Sequence, residues 1–265
     1  DIKVLRREGA AQQVGNIEQF NTLSQAIEFA PQCAIIASPA PFHIETALEL
    51  AKINCHLLIE KPLSNSIFKV DKLIDLCARK DLILQVGYNL RFLNTLQFFR
   101  EKILSGTIGQ VLSINSEVGQ YLPSWRPASD YRSSVSAKSE LGGGVLLELS
   151  HELDYMRWIF GEVKWMSAWV GKKSDLEIDV EDTAMLQICF ETGPMAQLSM
   201  DFFRHDTSRS CVAIGSHGSI SWDAVEGTVR IFDPKTASWT TVLQHSVNRD
   251  DTYIKQIQHF LDRIR

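Results

Sequence analysis

The sequence is short of the features that would settle its class at a glance. Its five cysteines, Cys33, Cys55, Cys77, Cys189 and Cys211, are odd in number, scattered and never spaced C-x-x-C. That speaks against a disulfide framework or a zinc site and for reduced, buried thiols in a cytoplasmic protein. The seven histidines are just as dispersed, so no metal cluster is expected. No apolar run nears the roughly 18 residues that a membrane helix requires, and no signal peptide is read at the start. No Lys/Arg block offsets the net charge of −5, which argues against a nucleic-acid surface. What is present is ordinary for a soluble globular protein: 265 residues, 45% apolar and 22% charged. That length suffices for two domains, or one large one.

Strand-like and helix-like stretches alternate at first. Residues 2–6 read as a strand, 20–30 as a helix starting at Thr22 or Ser24, and 33–37 as a buried strand broken by Ser38-Pro39-Ala40-Pro41. A helix over 43–54 carries Ile44, Ala47, Leu48 and Ala51 on one stripe, and a strand to Glu60, a helix over 66–80 and a strand over 83–87 follow. Such alternation predicts a doubly wound parallel sheet. After Gly87 the pattern changes. A helix over 95–104, a strand over 111–119, a polar loop over 120–140 and a long helix over 145–160 lead into seven consecutive strand-like segments and a final helix over 251–265. Strands that follow one another without helices predict an antiparallel sheet. The expected domains are 1–88 and 89–265, a parallel-sheet domain and an α/β domain built on a large, mainly antiparallel open sheet.

Two stretches carry chemistry. In His56-Leu57-Leu58-Ile59-Glu60-Lys61-Pro62, three apolar residues in a row suit a strand covered on both faces, and a carboxylate and an ammonium stand at its carboxyl end. Open parallel sheets bind ligands beyond that end; the plainer reading is a surface ion pair closing a strand. On the helix over 145–160, Val145, Leu149, Leu153, Met156 and Phe160 fall on one side, and Glu148, His151, Glu152 and Tyr155 on the other. The i, i+3 spacing lets Glu148 and His151 meet as an acid/base pair, the carboxylate orienting the ring; the alternative is a solvated polar face. Gly142-Gly143-Gly144 ahead of the helix permits a tight turn or a close backbone approach.

Taken together, Ser38-Pro39 with His43, Glu60-Lys61-Pro62, Val86-Gly87 with Arg91-Phe92, Ile108-Gly109, the glycine triplet and His151-Glu152-Leu153-Asp154 resemble the Gfo/Idh/MocA oxidoreductases, the glucose–fructose oxidoreductase and inositol dehydrogenase family. The resemblance runs from about Cys33 to Gly161 and loosely onward. It implies a Rossmann domain that binds NAD or NADP, a second domain for substrate and subunit contacts, and a cleft between them that Lys61 and His151 both face. It also implies that Ser38, Pro39, Glu60 and Pro62 border the cofactor, with the peptide before Pro62 often cis. Lys61 would align the nicotinamide and polarise the reacting oxygen, and His151 would exchange the alcohol proton. The run from His151 to Trp158 looks most like members serving surface-sugar or flagellin-glycan synthesis.

The match has two departures. The family commonly has an acid four residues before the histidine, where this sequence has Leu147, so its role passes to Glu148. There is also no G-x-G-x-x-G. That loop would precede Ile2, so the sequence reads as trimmed at both ends in preference to a protein lacking a pyrophosphate cradle. Arg6 and Arg7 stand where NAD-specific members place an acid, so NADP is slightly favoured; a solvated strand end is the other reading. His43 either caps its helix, is solvated or borders the nicotinamide. Asn89, Arg91, Tyr131, Arg132 and Asp154 are the candidate substrate contacts. The six tryptophans are expected to pack the second sheet, with Trp125 able instead to stack on a sugar.

The leading functional expectation is an NAD(P)-dependent dehydrogenase or reductase acting on a sugar, sugar derivative or cyclitol, cytoplasmic and bound to no nucleic acid, membrane or metal. By resemblance it is a homodimer or homotetramer joined through the second-domain sheet. The alternative is a non-catalytic regulatory or binding protein on the same fold.

Overall fold

The computed structural model describes residues 1–6, 15–246 and 248–265, which form two compact units. Residues 1–87 with 260–265 make the first, and residues 88–259 the second.

In the first unit, β1 (Val4–Leu5) pairs in parallel with β2 (Gln19–Phe20), and α1 (Leu23–Glu28) follows. Thr22 starts α1 through a capping box, its hydroxyl accepting from the Gln25 N–H while the Gln25 side chain accepts from the Thr22 N–H. The strand at 19–20 was hidden in the helical reading of 20–30. Next come β3 (Cys33–Ile36), α2 (His43–Lys52), β4 (His56–Ile59), α3 (Val70–Arg79) and β5 (Leu84–Val86). The three strands form one parallel sheet in the order β3-β4-β5, with Ile36 beside Ile59 and Ile59 beside Val86. Leu57, Leu58 and Ile59 are all buried, as a central strand with both faces covered requires. Ala47, Leu48 and Ala51 of α2 pack with Leu73 and Cys77 of α3 over this strand.

In the second unit, α4 (Asn94–Leu104) and β6 (Val111–Gly119) lead through a series of short 3-10 turns to α5 (Val145–Glu148) and α6 (His151–Phe160). Then follow β7 (Val163–Gly171), β8 (Thr183–Phe190), β9 (Met195–Asp201), β10 (Ser208–Gly215), β11 (Ser219–Asp223), β12 (Thr228–Asp233), β13 (Ser238–Gln244) and α7 (Arg249–Ile264), whose residues from Phe260 onward are counted with the first unit. All eight strands join one sheet, ordered β13-β12-β11-β10-β6-β9-β8-β7. Every pairing is antiparallel except β6 with β9, which run parallel because β6 enters the sheet from outside the run of consecutive strands. One face of the sheet is the core: Ile114, Leu186, Leu198, Ala213 and Trp222 alternate inward and meet Phe99, Tyr155 and Met156 from the helices.

Two expectations need correction. The helix over 145–160 is not continuous: Leu149 leaves the helical path (φ −100°, ψ 24°), ending α5 before Ser150 starts α6. Its polar side is not solvated either, since Glu152 and Tyr155 have no exposed surface. Tyr155 shares a 2.6 Å hydrogen bond with Ser116, and Glu152 accepts from Arg209. The tryptophans also divide. Trp222 fills the core, whereas Trp165, Trp169 and Trp239 are exposed.

Candidate functional site

The carboxyl ends of β3 and β4 are tied together by one residue. His43 opens α2 and is buried; its Nδ1 lies 3.0 Å from the Pro62 carbonyl oxygen and its Nε2 2.6 Å from that of Ser38. It makes no side-chain cap to its helix, so the capping and solvation readings both give way to a bridge between two strand-end loops. The Lys61–Pro62 peptide within the second loop is cis. Glu60 is half-buried beside these groups. Burial raises its carboxyl above the usual range, while the Lys61 backbone N–H, the Lys61 ammonium and the His43 ring pull it down. At the end of β5, Gly87 passes close under Glu60: a Cβ there would stand 3.1 Å from the Glu60 carboxyl oxygen. Arg6 directly follows β1, with its N–H on the Phe20 carbonyl at 3.0 Å. Arg7 lies outside the described residues.

In the second unit the break after α5 presents His151 at the start of α6. The glycine triplet shapes this break rather than cradling an anion. Gly143 packs against the carbonyls of Val135 and Ser136, where a Cβ would come within 2.6 Å of the Ser136 oxygen. Gly144 has φ +102°, and its N–H donates to that same carbonyl at 3.1 Å. The Ser136 hydroxyl then donates to Glu148 at 2.8 Å, and Glu181 caps α5 by accepting from the Leu146 N–H at 3.1 Å. Loop, glycines and Glu148 are therefore one hydrogen-bonded assembly.

Beside His151, the Tyr88 ring meets the imidazole edge-on, centroids 5.6 Å apart at 77°. Burial pushes the Tyr88 hydroxyl up from its ordinary value; the Asp154 carboxylate adds to this, and Arg91 opposes it. Arg91 and Asp154, both expected to meet substrate, are bound to each other (Nε–Oδ2 2.8 Å, Nη2–Oδ1 2.7 Å). Asn89 is buried and donates to the Thr252 hydroxyl at 2.9 Å. Arg132 joins an exposed cluster with Asp130 and Glu177, and the Tyr131 hydroxyl accepts from the Glu177 N–H. Trp125 packs edge-on against Phe202 and donates to the Gln120 carbonyl. Sequence reasoning missed Tyr88, Ser136 and Glu181. Tyr88 alone left a signal, as the residue after a glycine at a strand end.

The five cysteines are free, and burial pushes the thiols of Cys55 and Cys211 up to about 12. Among the described residues no group of His, Cys, Asp and Glu could hold a metal ion, and no helix is long and apolar enough to cross a membrane. The first unit fits the nicotinamide-bearing end of a dinucleotide. Two loops sit at the carboxyl ends of adjacent parallel strands, fixed by a buried imidazole, with an ammonium in one and a glycine passing close by.

Comparison with known proteins agrees. Residues 3–88 match the family described as oxidoreductase family, NAD-binding Rossmann fold, and residues 96–221 match the GFO/IDH/MocA C-terminal domain. Myo-inositol 2-dehydrogenase of Thermotoga maritima is 30% identical over 249 residues, covering 87% of this chain and 69% of that protein. Levoglucosan dehydrogenase of Pseudarthrobacter phenanthrenivorans is 26% identical over 189 residues, covering 62% of this chain and 47% of that protein. A solved levoglucosan dehydrogenase in complex with NADH and levoglucosan shares the fold, with a TM-score of 0.83 at 20% identity over 93% of this chain and 74% of that one.

Proposed function

The chain belongs to the Gfo/Idh/MocA oxidoreductases, and from that premise we propose which of its residues do the work. It is an NAD(P)-dependent oxidoreductase that moves a hydride between the nicotinamide and a hydroxyl- or carbonyl-bearing carbon of a sugar, sugar derivative or cyclitol. The relatives described above are dehydrogenases of such compounds, and nothing supports the regulatory alternative. The nicotinamide, when bound, supplies the carbon that accepts or returns the hydride.

Lys61 lends its positive charge to the reacting oxygen, stabilising the charge that develops there as the C–H bond breaks. His151 takes the hydroxyl proton in oxidation and returns it in reduction. Glu148 is a positioning residue that acts through His151, in place of the acid missing at Leu147. The observation that carries this reading is the bridge by His43, which fixes the loop holding Lys61 beside the loop holding Ser38 and Pro39. Ser38, Pro39, His43, Glu60 and Pro62 are assigned to the cofactor side, and Asp154 with Arg91 to the substrate side as a pair. Arg6 gives a lean toward NADP, which tighter binding of NAD than NADP by the full-length protein would reject.

The outer face of the large sheet carries Trp165, Trp169, Met185, Met195, Ile214 and Trp239, all exposed, which suits a homodimer or homotetramer joined face to face. A cytoplasmic setting accords with the five free cysteines.

The deciding experiment is hydride exchange between NAD(P)(H) and a panel of sugars and cyclitols by the full-length protein and its Lys61→Ala variant. Turnover is expected to fall by about a thousandfold with dinucleotide binding largely intact. Unchanged turnover would remove Lys61 from the mechanism.

A further inference from the structure

The second unit contains a cavity of about 170 Å³. Its wall includes Gln120 after β6, Thr207 and Arg209 at the entry to β10, Ala224 and Val225 in the turn after β11, and Leu149 from the break before α6. Leu149 stands two residues before His151, and Glu152 directly follows it. The cavity therefore adjoins the segment that carries the proposed acid/base group.

Arg209 donates from Nε to Glu152 Oε1 at 2.8 Å. Glu152 has no exposed surface, and an isolated carboxylate buried to that degree is costly, so the ion pair is a fixed part of the unit. It holds the guanidinium in one orientation. Beyond Glu152, the terminal nitrogens of Arg209 have no acceptor among the described residues. A guanidinium has five N–H donors, and the four on its terminal nitrogens remain for something else. Glu117, the nearest other acid along β6, is already taken by the Ser208 hydroxyl at 2.6 Å and by Arg204 at 3.0 Å. The Ala224 N–H donates to the Arg209 carbonyl at 2.9 Å and fixes the opposite wall.

We propose that this cavity receives a carboxylate borne by the substrate, held by the Arg209 terminal nitrogens, so that the enzyme favours a sugar acid over the corresponding neutral sugar. This rests on the oxidoreductase reading above and narrows its substrate class. The planar guanidinium matches a carboxylate with two parallel hydrogen bonds, which neither a hydroxyl nor a lysine partner reproduces. Thr207 and Gln120 offer further polar groups on the same wall. The volume suits an acid group with the carbon that bears it and is below the roughly 300 Å³ at which pockets for whole ligands begin. Arg209 is thus a specificity-determining residue.

The test is calorimetric titration of the full-length protein, saturated with NADH, with matched pairs: D-glucuronate and D-glucose, D-galacturonate and D-galactose, D-gluconate and D-glucitol. At least one acid is expected to bind about tenfold more tightly than its neutral partner, the equivalent of one charge-assisted hydrogen bond. Arg209→Lys, which keeps a cation for Glu152 but loses the fork, is expected to abolish that preference. Ala224→Leu fills the cavity without touching the ion pair and is expected to do the same, which keeps the proposal testable if the lysine variant does not fold. Acids that bind no tighter than their neutral partners, or a preference surviving both variants, would overturn it. So would D-glucose 6-phosphate binding more tightly than every acid. Failure to bind NADH, seen separately by its fluorescence, would instead sink the oxidoreductase reading.

Discussion

Arg91 grips Asp154 side-on through two hydrogen bonds, and the two residues lie 63 positions apart in sequence. Asp154 keeps only 11% of its side chain exposed, while Arg91 keeps 41% and also lies over the Trp158 ring at 5.5 Å. The pair closes the turn after Tyr88 onto α6, beside the ring contact between Tyr88 and His151. Arg91→Ala strands a mostly buried carboxylate and is expected to destabilise the protein by about 2 kcal/mol, read by urea unfolding. Asp154→Asn should cost less, because its uncharged amide needs no cation. If Arg91→Ala unfolds at the wild-type denaturant concentration, the pair is ornamental.

The glycine triplet is a packing device, and Gly143→Ala tests that. The new methyl would press on the Val135 and Ser136 carbonyls, backbone atoms that cannot turn aside. The expected cost is about 1–3 kcal/mol, typical of overpacking. Turnover should also fall, since Ser136 holds Glu148. A variant as stable and as active as wild type would show that the loop has slack.

Glu148→Gln separates a positioning role from a structural one. If the carboxylate supports the proton transfer at His151, kcat is expected to drop about a hundredfold and the rising limb of the pH–rate profile to move toward lower pH, because the ring loses an anion that favours its protonated form. A fall in rate with an unmoved profile would leave Glu148 as scaffolding only.

Much of this was legible in the sequence because local pattern and tertiary burial coincide. Leu57-Leu58-Ile59 demanded a doubly covered strand and became one. The inward alternation of Ala184, Leu186, Ile188 and Phe190 marks a half-buried strand, and β8 is one. The break at Leu149 left no such mark. Leu is a good helix former, and it leaves the helical path because the loop over 135–137, the glycines and Glu181 set where α5 begins, a constraint arriving from elsewhere in the chain. Partner choice was equally hidden. Helical periodicity placed Glu152 and Tyr155 on a polar side, but only the fold supplies Arg209 and Ser116, 57 and 39 residues away in sequence, to bury them. His43 is the same lesson at the cofactor loops, where its two carbonyl partners come from the ends of different strands.

The pH dependence of stability should carry the signature of Glu60. Burial raises its folded-state pKa above the ordinary carboxyl value of 4.5. The folded protein then binds the proton more tightly than the unfolded chain, so stability is greatest below about pH 4.5 as far as this group is concerned, and it is lost as pH rises through the higher folded value. Glu60→Gln keeps an acceptor for the Lys61 N–H but cannot ionise. Its melting temperature is expected to exceed that of wild type at pH 7–8, with the gap closing as pH falls toward 4. Turnover of the same variant answers a different question, whether the carboxylate serves the cofactor side. A variant that melts below wild type at pH 7–8, with the deficit closing on acidification, would mean that the ammonium of Lys61 and the ring of His43 outweigh burial, and that Glu60 is held as an anion.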